Sequence, residues 1–252
     1  MRFGWAIGGT LCLLSLVACQ AAEHDSSAIL TVASDLDNPP FAGIDAAGRP
    51  FGRDVEMMEA LAEILGLELE WRRIPFDEHL PAVEGEEVDV VCATLGITPE
   101  REERIAFSRP YFETAIAVVV RSGSGEPRAL AELGGLRVSA ASGTTSERAV
   151  LRHLEHAIGV FENKRGLPTT QRLLSREVDA AVMDGLAADD LVRANPGMLL
   201  RLTQNLDRER YALALPQHFR LLRERLNRAL EELERTGRLR ELDERHGLLS
   251  AR

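Results

Sequence analysis

Short apolar runs alternate with amphipathic helices along most of this chain, and that alternation confines it to mostly parallel sheets with helices laid on their faces. Ile29 to Ser34 is an apolar run that leads into a polar turn with Pro39-Pro40. Val55, Met58, Ala62 and Leu65 recur at helical spacing, and Gly66 ends that helix in the usual C-terminal position. Leu67, Leu69 and Trp71 alternate with Glu68, Glu70 and Arg72, as in a strand with one wet face. Phe76 to Glu84 is predicted helical and Val88 to Ala93 a buried strand.

The pattern then starts again. Ala115 to Arg121 is a continuous apolar strand running into Ser122-Gly123-Ser124-Gly125, a boundary signal. Strands are predicted at Leu136 to Ala141, Val178 to Met183 and Tyr211 to Leu215, with helices at Thr145 to Leu154 and Thr169 to Arg176. Phe219, Leu222, Leu226, Leu230 and Leu233 share one face of a C-terminal helix, and Gly237 separates it from a last short one. Two α/β units with extended crossings near 115–121 and 209–215 predict two α/β lobes joined by a two-strand hinge, with a ligand cleft between them. The expected division is 28–118 plus 213–252 for lobe 1 and 119–212 for lobe 2.

The N-terminus carries a different message. Residues 1 to 19 hold one basic residue, Arg2, no acid, and an apolar run from Phe3 to Ala18. That run falls short of the roughly 20 residues a permanent membrane helix needs, and matches the core of a signal peptide. It ends in Leu16-Val17-Ala18-Cys19, which resembles the bacterial lipobox; a plain secretory signal with a chance cysteine is the alternative. The expectation is a lipoprotein signal peptide at 1–18, lipidation at Cys19 and a flexible tether at 19–27. The mature protein would then be extracytoplasmic, whether periplasmic or outside, and held to a membrane by its lipid alone.

Of the three cysteines, only Cys92 remains in the folded part, too few for a disulfide and without the spacing of a zinc site. It sits in a strand pattern and reads as a small buried hydrophobe. No cofactor is expected. Forty acids against thirty bases, with no basic stripe, argue against nucleic acid as a partner.

Three segments have the chemistry of a site for a zwitterion. In Thr98-Pro99-Glu100-Arg101, Thr98 is a good N-cap and Pro99 suits the first helical turn. Arg101 then occupies the position where a capping box prefers Glu and where the helix dipole disfavours a cation by roughly 0.3–1 kcal/mol. A guanidinium there is suited to grip a carboxylate through two parallel hydrogen bonds; spacing alone equally allows a solvated arginine paired with Glu102 or Glu103. Ser142-Gly143-Thr144-Thr145 precedes a helix and offers hydroxyls and free N–H groups to an anion, while Glu147 also completes a capping box. Asp184 ends a strand, where open α/β sheets place their ligands, although an Asp turning the chain before Gly185 reads equally well.

The chain resembles the family 3 bacterial extracellular solute-binding proteins, the amino-acid-binding branch with the type II periplasmic-binding-protein fold. The resemblance rests on motifs in order: Asn38-Pro39-Pro40-Phe41, Gly52-Arg53-Asp54-Val55-Glu56-Met57, Val88-Asp89-Val90-Val91, Gly96-Ile97-Thr98-Pro99-Glu100-Arg101, Phe107-Ser108-Arg109-Pro110-Tyr111, Gly143-Thr144-Thr145, Val178-Asp179-Ala180-Ala181-Val182-Met183-Asp184 and Leu226-Asn227-Arg228-Ala229-Leu230. It implies that Arg101 grips a ligand α-carboxylate, that Thr145 contacts the same group, and that Asp184 holds the α-amino group. The chain departs from the family at Asn38, where an aromatic is usual, and at Gly96, where a hydroxyl residue is usual. Phe76 aligns with a position that often packs on the ligand side chain; ordinary core packing is its other reading. Thr94 and Thr144 complete the implied site, and Asp35 and Asp37 near the same mouth would favour a cationic side chain.

The resemblance further implies a monomeric binding protein, not an enzyme, that hands its ligand to an ABC permease. Two alternatives share the scaffold. An enzyme similar to cyclohexadienyl or arogenate dehydratase needs a general acid in the cleft, with Asp184 or Glu162 the acids to consider. A binding module for a sensor or redox partner would keep the same site residues.

Overall fold

The computed structural model describes residues 29–162 and 168–248. The signal segment, Cys19 and the tether lie outside them. The first half runs through Ile29–Ser34 (β1), Gly43–Ile44 (β2), Pro50–Phe51 (β3), Arg53–Leu65 (α1), Glu68–Arg73 (β4), His79–Glu84 (α2), Val90–Val91 (β5), Pro99–Glu102 (α3) and Ala106–Phe107 (β6). The second comprises Phe112–Arg121 (β7), Arg137–Ala141 (β8), Thr145–His153 (α4), Ile158–Glu162 (β9), Thr169–Leu174 (α5), Ala180–Asp184 (β10), Gly185–Ala194 (α6), Leu199–Arg201 (β11) and Asp207–Tyr211 (β12). The chain then returns with Ala214–Leu215 (β13), Arg220–Arg235 (α7) and Arg238–Arg245 (α8). Among the described residues, no helix is long and apolar enough to cross a membrane.

Two larger sheets result. The first has the order β4-β1-β5-β13-β6, with β1 parallel to both β4 and β5 and the returning β13 antiparallel to its neighbours. The second has the order β11-β7-β10-β8-β9, with β12 also paired to β7. The mixed α/β architecture and its division into two units match the alternation in the sequence.

Each sheet is covered on both faces, which explains the uninterrupted apolar runs. In β7, Ile116, Val118 and Val120 pack with Val138, Val150 and Val182 on one side, while Ala117 and Val119 meet Leu173, Ala181 and Ala188 on the other. Lobe 1 repeats the scheme. Leu30 and Val32 face Met58 and Leu61 of α1 with Leu226 and Leu230 of α7, and Ala33 and Val91 face Ala82 and Val83 of α2. The α1 helix stops at Gly66, whose left-handed φ of 65° lets Leu67 N–H reach back to the Ala62 carbonyl. Cys92 is fully buried, as a small hydrophobe should be.

The first crossing lies nearer the N-terminus than the predicted 115–121. All ten residues of β7 belong to the second sheet, beginning with Phe112 opposite Tyr211. The chain therefore changes sheets between Phe107 and Phe112 on the way out and between Tyr211 and Ala214 on the way back. The two crossings run side by side, bonded through Tyr111 N–H to the Tyr211 carbonyl and Ser108 N–H to the Leu213 carbonyl, both at 2.9 Å. A further helix, α6, starts directly after Asp184, where the sequence had suggested a turn. The edge strand β9 was also not predicted.

A buried ionic cluster locks these crossings to lobe 1. The Arg53 guanidinium, with no exposed surface, donates from Nε to Asp243 (2.9 Å), from Nη1 to Asp54 (3.2 Å) and from Nη2 to the Tyr111 carbonyl (3.2 Å). The Tyr111 hydroxyl donates to the other Asp54 oxygen at 2.7 Å.

Candidate functional site

The start of α3 is built as its sequence predicts. Thr98 is the N-cap, its Oγ1 accepting from the Arg101 backbone N–H at 3.2 Å, and Pro99 opens the helix. That cap turns Arg101 inward rather than into solvent. Its guanidinium donates to the Gly96 carbonyl at 2.7 Å and, across the cleft, to the Gly143 carbonyl at 3.0 Å. Arg101 is 5% exposed, which rules out the solvated ion-paired reading. Burial brings its pKa down to about 10, so it stays cationic at neutral pH.

Across the cleft, Thr144 caps α4. Its Oγ1 accepts from Glu147 N–H at 3.3 Å and donates to the Ala141 carbonyl at 2.7 Å. Glu147 reaches back to Gly143 N–H at 2.6 Å, so this turn is fixed from both sides. Thr145, the first residue of α4, then stands at the helix N-terminus with its hydroxyl donating to Glu209. Asp184 closes β10 at its carboxyl end, and its side chain makes no capping hydrogen bond to α6.

Between the lobes lies a cavity of about 300 Å³. Arg101, Asp35, Asn38, Phe76, Thr94 and Gly96 line it from lobe 1, and Thr144, Thr145 and Asp184 from lobe 2. The structure thus brings together these nine residues singled out in the sequence, while Asp37 is not among its lining and the Glu162 side chain lies outside those described. A larger open groove of about 800 Å³ runs beside the interlobe crossings, lined by Phe112, Arg201, Asp207 and Glu234 among others, and holds none of them. Among the described residues no group of three or more His, Cys, Asp or Glu is placed to hold a metal ion.

Two details of the lobe 1 wall bear on the departures noted above. Asn38 donates from Nδ2 to Thr94 Oγ1 at 3.1 Å, so an amide and a hydroxyl stand where an aromatic is usual. Thr94 adopts a φ of 47°, a conformation that β-branched residues rarely tolerate and that clusters at functional sites. Phe76 is half-buried; its ring meets His79 edge-on at 5.6 Å while one side faces the cavity, so it serves both core and wall. His79 itself is buried and its pKa falls to about 4 through that burial, so it is neutral. At the mouth, burial and then the Asp37 charge raise the Asp35 carboxyl to about 7.

Sequence reasoning missed Glu209. Along β12 the exposed Arg208 and Arg210 alternate with the buried Glu209 and Tyr211, which puts an acid on the inward face. The period-2 pattern was readable in Asp207-Arg208-Glu209-Arg210-Tyr211, but a strand was expected only from Tyr211, and the extended crossing expected at 209–215 did not mark Glu209 as facing inward. Glu209 is 5% exposed, lines the cavity, and leaves Oε2 without a hydrogen-bond partner. Burial first, and the Asp184 carboxylate next, push its carboxyl well above the usual range; the Thr145 hydroxyl and the Arg101 charge pull the other way without prevailing.

Comparison with known proteins converges on one group. The profile of the bacterial extracellular solute-binding proteins, family 3, matches residues 30–248. A probable histidine-binding protein of Neisseria gonorrhoeae is 28% identical, covering 92% of this chain and 91% of its own. A putative ABC transporter arginine-binding protein of Escherichia coli is 24% identical, covering 89% and 93%. The solved structure of an ancestral arginine-binding protein bound to arginine superposes with a TM-score of 0.77 at 32% identity, over 86% of this chain and 97% of that one.

Proposed function

Because the chain belongs to family 3 of the bacterial extracellular solute-binding proteins, we propose that its cleft captures an α-amino acid and presents it to an ABC permease. The observation that carries this reading is the placement of opposite charges on opposite walls, Arg101 on lobe 1 and Asp184 on lobe 2, around one cavity. Arg101 receives the α-carboxylate with help from Thr145, and Asp184 receives the ammonium group. Neither lobe alone satisfies both ends of a zwitterion, so ligand binding favours the closed arrangement over an open one. Phe76, Asn38, Thr94 and Asp35 then meet the ligand's side chain. Cys19 carries the lipid that keeps the protein beside its permease. Relatives named for histidine and arginine support a ligand of this class.

A thermal-shift screen of the purified full chain against the twenty amino acids and common organic acids tests the reading. A ligand at about 100 times its dissociation constant adds roughly 2.7 kcal/mol. For a chain of this size that raises the melting temperature by about 5–10 °C. The shift should vanish in Arg101→Ala. No shift with any amino acid, from a folded protein, would sink the proposal.

Glu209 also gives the dehydratase reading a specific candidate, since a carboxyl raised by burial in the cleft suits a general acid. Incubation with prephenate and arogenate decides it. The binding function predicts that both remain unconverted.

A further inference from the structure

The cleft contains an acid that the zwitterion scheme leaves unused. Glu209 is 5% exposed and lines the cavity, with one carboxyl oxygen held by Thr145 and the other unpartnered. The wall opposite is shaped to admit it. A Cβ at Gly96 would lie 2.4 Å from Glu209 Oε1 and 2.9 Å from Thr145 Cγ2, so no side chain fits at position 96 while Glu209 is in place. The absence of a side chain at 96 and the carboxyl from β12 are therefore sterically complementary.

We propose that Glu209 keeps a proton, held beside the Asp184 carboxylate, in the empty protein and gives it up when both acids take hold of the ligand's ammonium group. This rests on the amino-acid reading of the same cavity. Two carboxylates side by side in a buried site cannot both ionise without a cation between them. The charged groups around Glu209 are few. Asp184 faces it from the end of β10, Arg101 from α3, and Tyr211 sits two residues along its own strand with a hydroxyl whose pKa is also raised by burial; Asp35, its carboxyl at about 7, lines the same cavity from lobe 1. Thr114, opposite on β7, is uncharged. Arg101 stays cationic and its charge favours the ionised carboxyl, but burial and Asp184 outweigh it, so it offsets the acid only in part. An arriving ammonium supplies the missing cation and donors for the free oxygen, and the Glu209 Oε–H proton leaves to solvent. The site should therefore discriminate strongly against carboxylic acids that lack an amino group, and should bind more tightly as pH rises from 5.5 to 7.5.

The test is calorimetric titration of the full chain and of Glu209→Gln with L-arginine, L-histidine and L-glutamine, at pH 7.5 in phosphate and in Tris, and again at pH 5.5. The wild type should release up to one proton per ligand, seen as a buffer-dependent heat, and bind more tightly at the higher pH. Glu209→Gln keeps the Thr145 hydrogen bond but should lose most of the proton release, should keep only the shallower pH slope that Asp35 supplies, and should bind about 10–100-fold more weakly at pH 7.5. Equal affinity with the wild-type pH slope in Glu209→Gln would overturn the inference and leave the amino-acid reading standing. If no amino acid binds the wild type, that reading fails instead, and melting of the empty proteins decides the retained proton. A raised carboxyl costs the folded state nothing below the unfolded pKa and progressively more as pH rises toward the folded one. Glu209→Gln should therefore melt higher than wild type at pH 8 and no higher at pH 4. Identical melting at both pH values would overturn the retained proton as well.

Discussion

Two clusters of buried charge sit on either side of the interlobe crossings, and they differ in how completely the chain itself satisfies them. Around Arg53 the partners are all internal. Each guanidinium nitrogen has an acceptor, both Asp54 oxygens are bonded, and the rings of Tyr111 and Phe112 lie 5.2 and 5.6 Å from the guanidinium carbon. In the cleft, Arg101 finds only backbone carbonyls, Glu209 keeps an oxygen without a partner, and Asp184 lies beside another acid. A buried charge with its counter-charge in the chain contributes to the fold, whereas one without it is a cost that only a ligand can offset.

The widest gap between the clusters should appear on truncation. Arg53→Ala leaves Asp54 and Asp243 buried without their cation and should destabilise the protein by about 3–5 kcal/mol. At roughly 2–4 °C per kcal/mol for a chain of this length, melting should fall by about 6–20 °C. Replacing the equally buried Glu209 carboxyl by an amide in Glu209→Gln should have the opposite sign at pH 8. Calorimetric melting of both variants without ligand measures the contrast, and a comparable loss in both would break it.

Gly96→Ala probes the same contrast more gently. The added methyl meets Glu209 and Thr145 rather than open space, so the Glu209 carboxyl must turn aside. Overpacking of this kind costs about 1–3 kcal/mol. Because the displaced group belongs to the cleft, amino-acid affinity should fall by about tenfold. Gly96→Ala combined with Glu209→Ala removes the closer of the two contacts, leaving Thr145 Cγ2 at 2.9 Å, and should recover part of the stability but not the affinity. Recovery of both would mean that the acid is merely a filler.

The sequence made the lobes legible because their signals are local. The apolar run of β7, the helical stripe of α7 and the stop at Gly66 each follow from near neighbours. The cap at Thr98 was equally readable, and with it the unusual place of Arg101. What escaped were features created by tertiary approach. Nothing near Glu209 says that Gly96, more than a hundred residues away, leaves room for its carboxyl. Nor does the stretch after Asp184 announce a helix through a cap, since α6 begins without a side-chain capping bond. The first crossing was misplaced for a related reason: Glu113, which is exposed, and Thr114, a buried polar residue, interrupt the start of β7, so the apolar run starts later than the strand.

A third arrangement separates the two extremes and supplies the smallest expected effect. Arg148 of α4 reaches over to lobe 1, donating to Thr98 Oγ1 at 3.0 Å and pairing with Glu100. Here the charges are matched but wet, with Arg148 and Glu100 side chains 28% and 58% exposed. Such a pair is screened by salt and holds little free energy. Because it spans the lobes, what it does hold contributes to closure rather than to either fold. Arg148→Ala should leave the melting temperature of the empty protein nearly unchanged and weaken amino-acid binding by less than about fivefold at low salt. Titrations at rising salt should bring wild type and variant together, because water and ions take over the role of the lost partner. A large loss that persists in high salt would mean that the hydrogen bond to Thr98, through the cap it shares with Arg101, orients the carboxylate grip itself, and Arg148 would then belong with the cleft.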